Sequence, residues 1–269
     1  MKKLLCILLF LCVSLGLFAQ VQITTKKEKL SDFTTKVTKI VLSGDAFLDP
    51  FFKEAVKNTW TISPFEFCTR DEFEELSSSS DYYFLFIAVD MRKESSLGVE
   101  SLKLIKGGSD SLDKALQVAS FPLRPEGEAG GREITFLPAI LGILQAGAEQ
   151  TVGNGMKPPG SIKLRKGTNA AIYIATEDLS ESGKEAAAKV GGISLVSADD
   201  AEELFDSGED VLVSYVVAPD DPSPGQACHV MLIDARTHKL RYLRSRRISS
   251  GSGPGFEASD INSISDSLK

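Results

Sequence analysis

The sequence predicts an α/β protein of two tandem, similar units. Each unit is expected to hold a mixed sheet built as strand–helix–strand–helix, an antiparallel three-strand meander and a closing helix. Three observations carry this. Strand-like runs alternate with helical patterns and then give way to strands alone, which implies a mixed sheet with helices against it. The segment Phe65–Val118 matches Ile193–Arg246 without a gap, so that Asp71, Glu74, Glu75 and Leu76 recur as Asp199, Glu202, Glu203 and Leu204. Between the halves lies GNGMKPPGSIKLRKG, Gly153–Gly167, rich in Gly and Pro as linkers are. The expected division is therefore a leader at 1–19, a first unit at 20–152, a linker at 153–167 and a second unit at 168–269.

The leader comes first in the chain. Lys2 and Lys3 precede an unbroken apolar run, Leu4–Val13, which is followed by small residues and Ala19. This is the layout of a secretory signal peptide, too short for a comfortable membrane span. Export to the periplasm, the outer membrane or beyond is expected. After removal of the leader only Cys68 and Cys228 remain. Both lie in or beside apolar runs and are expected as packed free thiols. No later segment is long and apolar enough to span a bilayer, and Phe136–Leu144, with Pro138 and Gly142 inside it, reads as a buried helix.

The paired elements follow in order. KIVLSGD (Lys39–Asp45) and AAIYIATED (Ala170–Asp178) are strands ending in acid, and the helices after them share KEA at Lys53–Ala55 and Lys184–Ala186. Short alternating strands come next, at Phe65 with Phe67 and at Ile193 with Leu195. Each precedes a hydroxyl N-cap with an acid three residues on, Thr69 with Glu72 and Ser197 with Asp200. The runs Tyr82–Val89 and Val211–Ala218 are β-branched and aromatic enough for buried strands. Ser101–Ile105 and His229–Ile233 are further strands, and the polar turns Lys106–Ser111 and Asp234–Lys239 lead into last strands. Phe136–Gln145 and Phe256–Ser265 are the closing helices.

In the second unit SLVSADDAEELFDSGEDVLVSYVV is followed by CHVMLIDARTHKLRYLRSRRI. Asp210–Val217 and Leu232–Leu240 resemble the strand and hairpin motifs of the α/β module at the amino terminus of TolB-like proteins. The curli-secretion lipoprotein and the outer-membrane activator of penicillin-binding proteins carry similar modules. His238 stands where that hairpin motif has glycine. The resemblance covers about a third of the chain and implies an envelope module for binding or assembly, without catalytic residues to carry over.

The composition is globular, with 42% hydrophobic and 25% charged residues, and the formal net charge of −7 argues against a nucleic-acid partner. No catalytic signature, metal-ligand spacing or cofactor motif is found. His229 and His238 are the only histidines, and His229 and Cys228 point to opposite faces of a strand, so they cannot share a metal. SLDK (Ser111–Lys114) lacks the partner motifs of a serine–lysine site, and GSGPG (Gly251–Gly255) reads as a loop. Asp45, Glu177 and Asp178 sit at strand carboxyl ends, where open sheets bind ligands, although acids there also serve helix N-termini.

The sharpest local feature is RTHKLRYLRSRR, Arg236–Arg247. Alternation puts Lys239, Arg241 and Arg247 on one face with Leu243, and Arg244 and Arg246 on the other with Leu240, Tyr242 and Ile248. Arg236, Lys239, Arg241, Arg244, Arg246 and Arg247 are thus candidates for binding an anionic partner, such as lipopolysaccharide phosphate, an acidic glycan or an acidic protein. The competing role is protection of an edge strand, with the acidic run Asp199–Asp210 able to neutralise the cations. The function expected is an exported, non-catalytic envelope protein binding a protein or a cell-wall or surface component. The alternative is an exported hydrolase working through a carboxylate site.

Overall fold

A computed structural model describes residues 29–92, 95–127, 131–156 and 159–269. The leader expected at 1–19 lies outside them. The fold is α/β, with a five-stranded and a six-stranded mixed sheet.

The first sheet holds β1 (Val37–Val41), β2 (Phe65–Cys68), β3 (Tyr82–Arg92), β4 (Ser95–Lys106) and β5 (Leu116–Pro125), in the order β2-β1-β3-β4-β5. Its helices are α1 (Leu48–Thr59), α2 (Arg70–Leu76) and α3 (Arg132–Asn154). The second sheet holds β6 (Ser161–Ile162), β7 (Ala171–Ala175), β8 (Ile193–Val196), β9 (Val211–Val217), β10 (Ala227–Asp234) and β11 (Leu240–Arg247), with α4 (Glu181–Ala187), α5 (Ala198–Asp206) and α6 (Ala258–Leu268). Read from β8, its order is β8-β7-β9-β10-β11, closed by β6. The two sheets therefore share strand order. They also share strand sense: the first strand of each unit is parallel to its two neighbours, and the meander is antiparallel.

The likeness extends to an irregularity. In the first meander Leu104 pairs with Ala119 and Ile105 with Gln117, so Val118 is the extra residue of a bulge. In the second, Leu232 pairs with Tyr242 and Ile233 with Leu240, so Arg241 is extra. This bulge overturns the strict alternation expected along the basic hairpin. It turns Leu240 to the side of Leu243 and the main core, while Tyr242 and Ile248 face the opposite side, under α6.

The helix starts follow their sequence signals. Thr69 and Ser197 form capping boxes with Glu72 and Asp200. α3 has buried residues spread around its circumference, among them Phe136, Ile140, Leu141 and Leu144. The reason is its position, since both sheets contribute to the core around it. Tyr83, Leu85 and Leu102 come from the first sheet; Val213, Tyr215 and Met231 come from the second. Phe136 stacks on Tyr215 at 4.5 Å and lies 4.2 Å from Phe205 of α5. A smaller core under α4 and α6 includes Cys228 and Phe256, and another, beside α2, includes Cys68 and Phe84. Both cysteines are buried free thiols, and burial pushes Cys68 up to about 11.

The stretch expected as a linker begins within the last residues of α3 and includes β6, which pairs with β11 at Leu243 and Arg244. Among the described residues no helix is long and apolar enough to cross a membrane.

Candidate functional site

A recess lies where the two units meet. Its cause is visible on α3. Pro138, Gly142 and Ala146 recur every fourth residue, which puts three small or ring-closed side chains on one stripe. A β-carbon added to Gly142 would meet nothing closer than Thr59 Cγ2 at 3.8 Å. The stripe therefore leaves a cleft of about 830 Å³, in the size range of ligand pockets.

Its walls come from both units. Gln117–Pro122 of β5 form one side, and Pro159, Gly160 and Ile162 around β6 form another. The β10–β11 hairpin supplies His229, Leu240, Leu243 and Ser245, and its turn supplies Thr237, His238 and Lys239. Both histidines of the chain are thus in the cleft, and among the described residues no Asp or Glu lines it. Among the described residues, its ionisable groups are His229, His238 and Lys239.

The local geometry holds these groups. His229 is opposite Ser245 in the ladder, and its Nδ1 is 2.8 Å from the Ser245 hydroxyl. Cys228, next to it, faces the other side of the sheet, as strand alternation requires. His238 has φ 55°, a left-handed conformation that suits glycine and costs another residue roughly 1–2 kcal/mol. The turn demands it: Asp234 Oδ1 accepts from Thr237 N, and His238 N donates to the Asp234 carbonyl. The ring stacks on Phe205 at 5.3 Å and 15°. Desolvation holds its pKa below the usual imidazole value, although Asp234 and Asp206 pull the other way.

The other cations of the hairpin are held inside the protein's own network. Arg236 pairs with Asp210 at 3.0 Å and Arg241 with Asp234 at 3.5 Å. Arg244 reaches buried Asp260 at 3.0 Å, and Arg247 donates to the Gly225 carbonyl. Arg246 lies 3.3 Å from Glu257 and donates to the carbonyls of Gly253 and Gly255, which fixes the GSGPG loop. Only one of these acids, Asp210, belongs to the acidic run expected to neutralise the ribbon. Lys239 is the ribbon residue that lines the cleft.

The strand-end acids are each engaged. Asp45 accepts from Phe47 N and Leu48 N at the start of α1. Thr176 Oγ1 donates to Glu177. Asp178, 4% exposed, receives both terminal nitrogens of Arg132 at 2.7 and 2.9 Å and the Ser214 hydroxyl at 2.6 Å. Arg132 opens α3 in the first unit, so this fork ties the two units together. Its guanidinium also lies over the rings of Phe136 and Tyr215.

Sequence reasoning missed the cleft, although the Pro138–Gly142–Ala146 spacing was its available signal. Among the described residues no group of three or more His, Cys, Asp or Glu is placed to hold a metal. Compared with protein-family models, with curated proteins and with solved structures, the chain finds no match in any of the three.

Proposed function

We propose that the protein is an exported, non-catalytic module of the cell envelope, and that it binds a protein or a cell-wall or surface component in the cleft between its two units. The cleft carries this reading. It has the volume of a ligand site, mixed apolar and polar walls, and a position at the junction of two units, where binding sites are common. The envelope location is supported by the leader-like residues 1–19 and by the resemblance of the second unit to TolB-like modules. Lys239 carries the anion-binding role into the cleft, while Arg236, Arg241, Arg244, Arg246 and Arg247 are engaged by the protein's own carboxylates and carbonyls.

The test is photo-crosslinking in cells from a reactive amino acid at Ser120, in the cleft wall. A discrete adduct is expected, and it should vanish when Gly142→Phe fills the cleft. An adduct pattern indifferent to Gly142→Phe would overturn the reading.

A further inference from the structure

On the side of the first sheet the cleft follows β5, the last strand, and on the other side it meets the face of the second sheet that carries His229, Leu243 and Ser245. Gln117, Val118, Ala119, Ser120, Phe121 and Pro122 all line it. Successive side chains of a strand point to opposite faces, so a cavity lying on one face meets alternate residues only. Past the bulge at Val118 the cleft still meets Ala119, Ser120, Phe121 and Pro122 in turn, so on this side it runs along the edge, where backbone N–H and C=O groups point sideways. β5 is the last strand in the order of its sheet, and no strand among the described residues pairs its outer side. One residue beyond the lined run, the Leu123 carbonyl takes the Tyr215 hydroxyl, and this marks where the edge closes against the second sheet.

Charge adds a second, independent observation. The chain carries 37 Asp and Glu against 30 Lys and Arg, yet among the described residues no acid lines the cleft. His229 lies near the start of β10, and His238 with Lys239 follow its end, roughly 13 Å or more away at about 3.3 Å per residue. Apolar Leu240 and Leu243 also line this wall. The cleft is thus elongated along the strands, with His229 towards one end and the cation Lys239 towards the other.

We propose that the cleft takes an extended peptide segment with acidic side chains, which adds as a strand to the unpaired edge of β5. The inference rests on the cleft being the binding site and names what that site takes. Main-chain hydrogen bonds to β5 would supply affinity, and pockets for alternate side chains would supply selectivity. One row of those side chains would meet the small-residue stripe of α3, where Gly142 leaves room. The acidic groups would be drawn to Lys239.

Two capped peptides test this with the isotope-labelled chain, one alternating Glu with Val and the other Lys with Val. The Glu–Val peptide is expected to shift the amide signals of Gln117–Phe121 and to bind at least tenfold more tightly than Lys–Val. Methylating its alternate backbone nitrogens should abolish binding. Lys239→Glu should weaken Glu–Val and strengthen Lys–Val, and Gly142→Phe, checked for an unchanged melting temperature, should block both. Equal affinity for the two peptides, indifference to N-methylation, or shifts away from β5 would overturn the inference. Dodecanoate separates the two levels of the argument. Cleft signals that move with dodecanoate but with neither peptide would sink strand addition and leave the cleft as a binding site. Silence to all probes, together with Ser120 adducts indifferent to Gly142→Phe, would sink both.

Discussion

Replacing Asp178 by Asn should weaken the whole protein rather than one unit. The carboxylate is nearly fully buried and holds Arg132 in a two-point fork, and Ser214 donates to it as well. Removing one partner of a buried ion pair typically costs about 3–5 kcal/mol, because the other charge stays buried without compensation. Arg132 keeps Glu202 at 3.8 Å and is a fifth exposed, which places the expected loss near the low end, about 3 kcal/mol. That is a large share of the roughly 5–15 kcal/mol by which domains are stable. At about 2–4 °C per kcal/mol for a chain of this size, the melting temperature should fall by roughly 6–12 °C. The assay is guanidinium unfolding followed by circular dichroism, with calorimetry to show whether both units melt together. Arg132→Met combined with Asp178→Leu should recover at least about 2 kcal/mol of the loss, since it removes both charges. A cost below about 1 kcal/mol for Asp178→Asn, or no recovery in the double variant, would refute the reasoning.

Other outcomes follow from neighbouring features. Gly142→Ala should stabilise by about 0.5–1 kcal/mol, because α3 gains a better helix former and the added carbon meets only Thr59 at ordinary contact distance; denaturant midpoints check it. Phe136→Ala should cost about 3–5 kcal/mol, with simultaneous loss of near-ultraviolet dichroism from Tyr215 and Tyr83, since one ring fills the core common to both sheets. At position 238 Gly should be more stable than Ala by about 1 kcal/mol, as expected for a left-handed backbone, and equal stabilities would count against that conformation. The His238 pKa is held below 6.5 by desolvation, so the unfolded chain takes up that proton first. Stability should therefore fall as pH drops below 6.5, and His238→Asn should flatten this slope in unfolding titrations.

Much of the fold was legible because its signals are local. The capping boxes at Thr69 and Ser197, the β-branched run Val211–Val217 and the strand-to-meander change are written within a few residues of one another, and two mixed sheets follow from them; the shared strand order is set by tertiary pairing. The role of Phe136–Leu144 was half legible. Its apolarity marked a buried helix, but only tertiary placement shows that a second sheet buries the far side. Pairs such as Arg132 with Asp178, or Arg244 with Asp260, join residues far apart in the chain, and no periodicity announces them. The basic hairpin read as an unbroken ribbon for the same reason: its counter-charges come from a turn, a strand end and the closing helix. The bulge at Arg241 lacks a glycine to mark it, and it moved Leu240 to the other side. The cleft is defined by what α3 lacks, which hydrophobic patterning does not register.

The shared helix has a consequence for biogenesis. α3 is made with the first unit, yet one of its flanks is completed by β9 and α5, translated later. Until those residues emerge, an apolar stripe that includes Phe136 has no cover, and such surfaces invite aggregation. A chain that crosses a membrane from its amino terminus would display this stripe to the far compartment before the remainder arrives. A truncation after Asn154 should therefore be insoluble rather than an independent half.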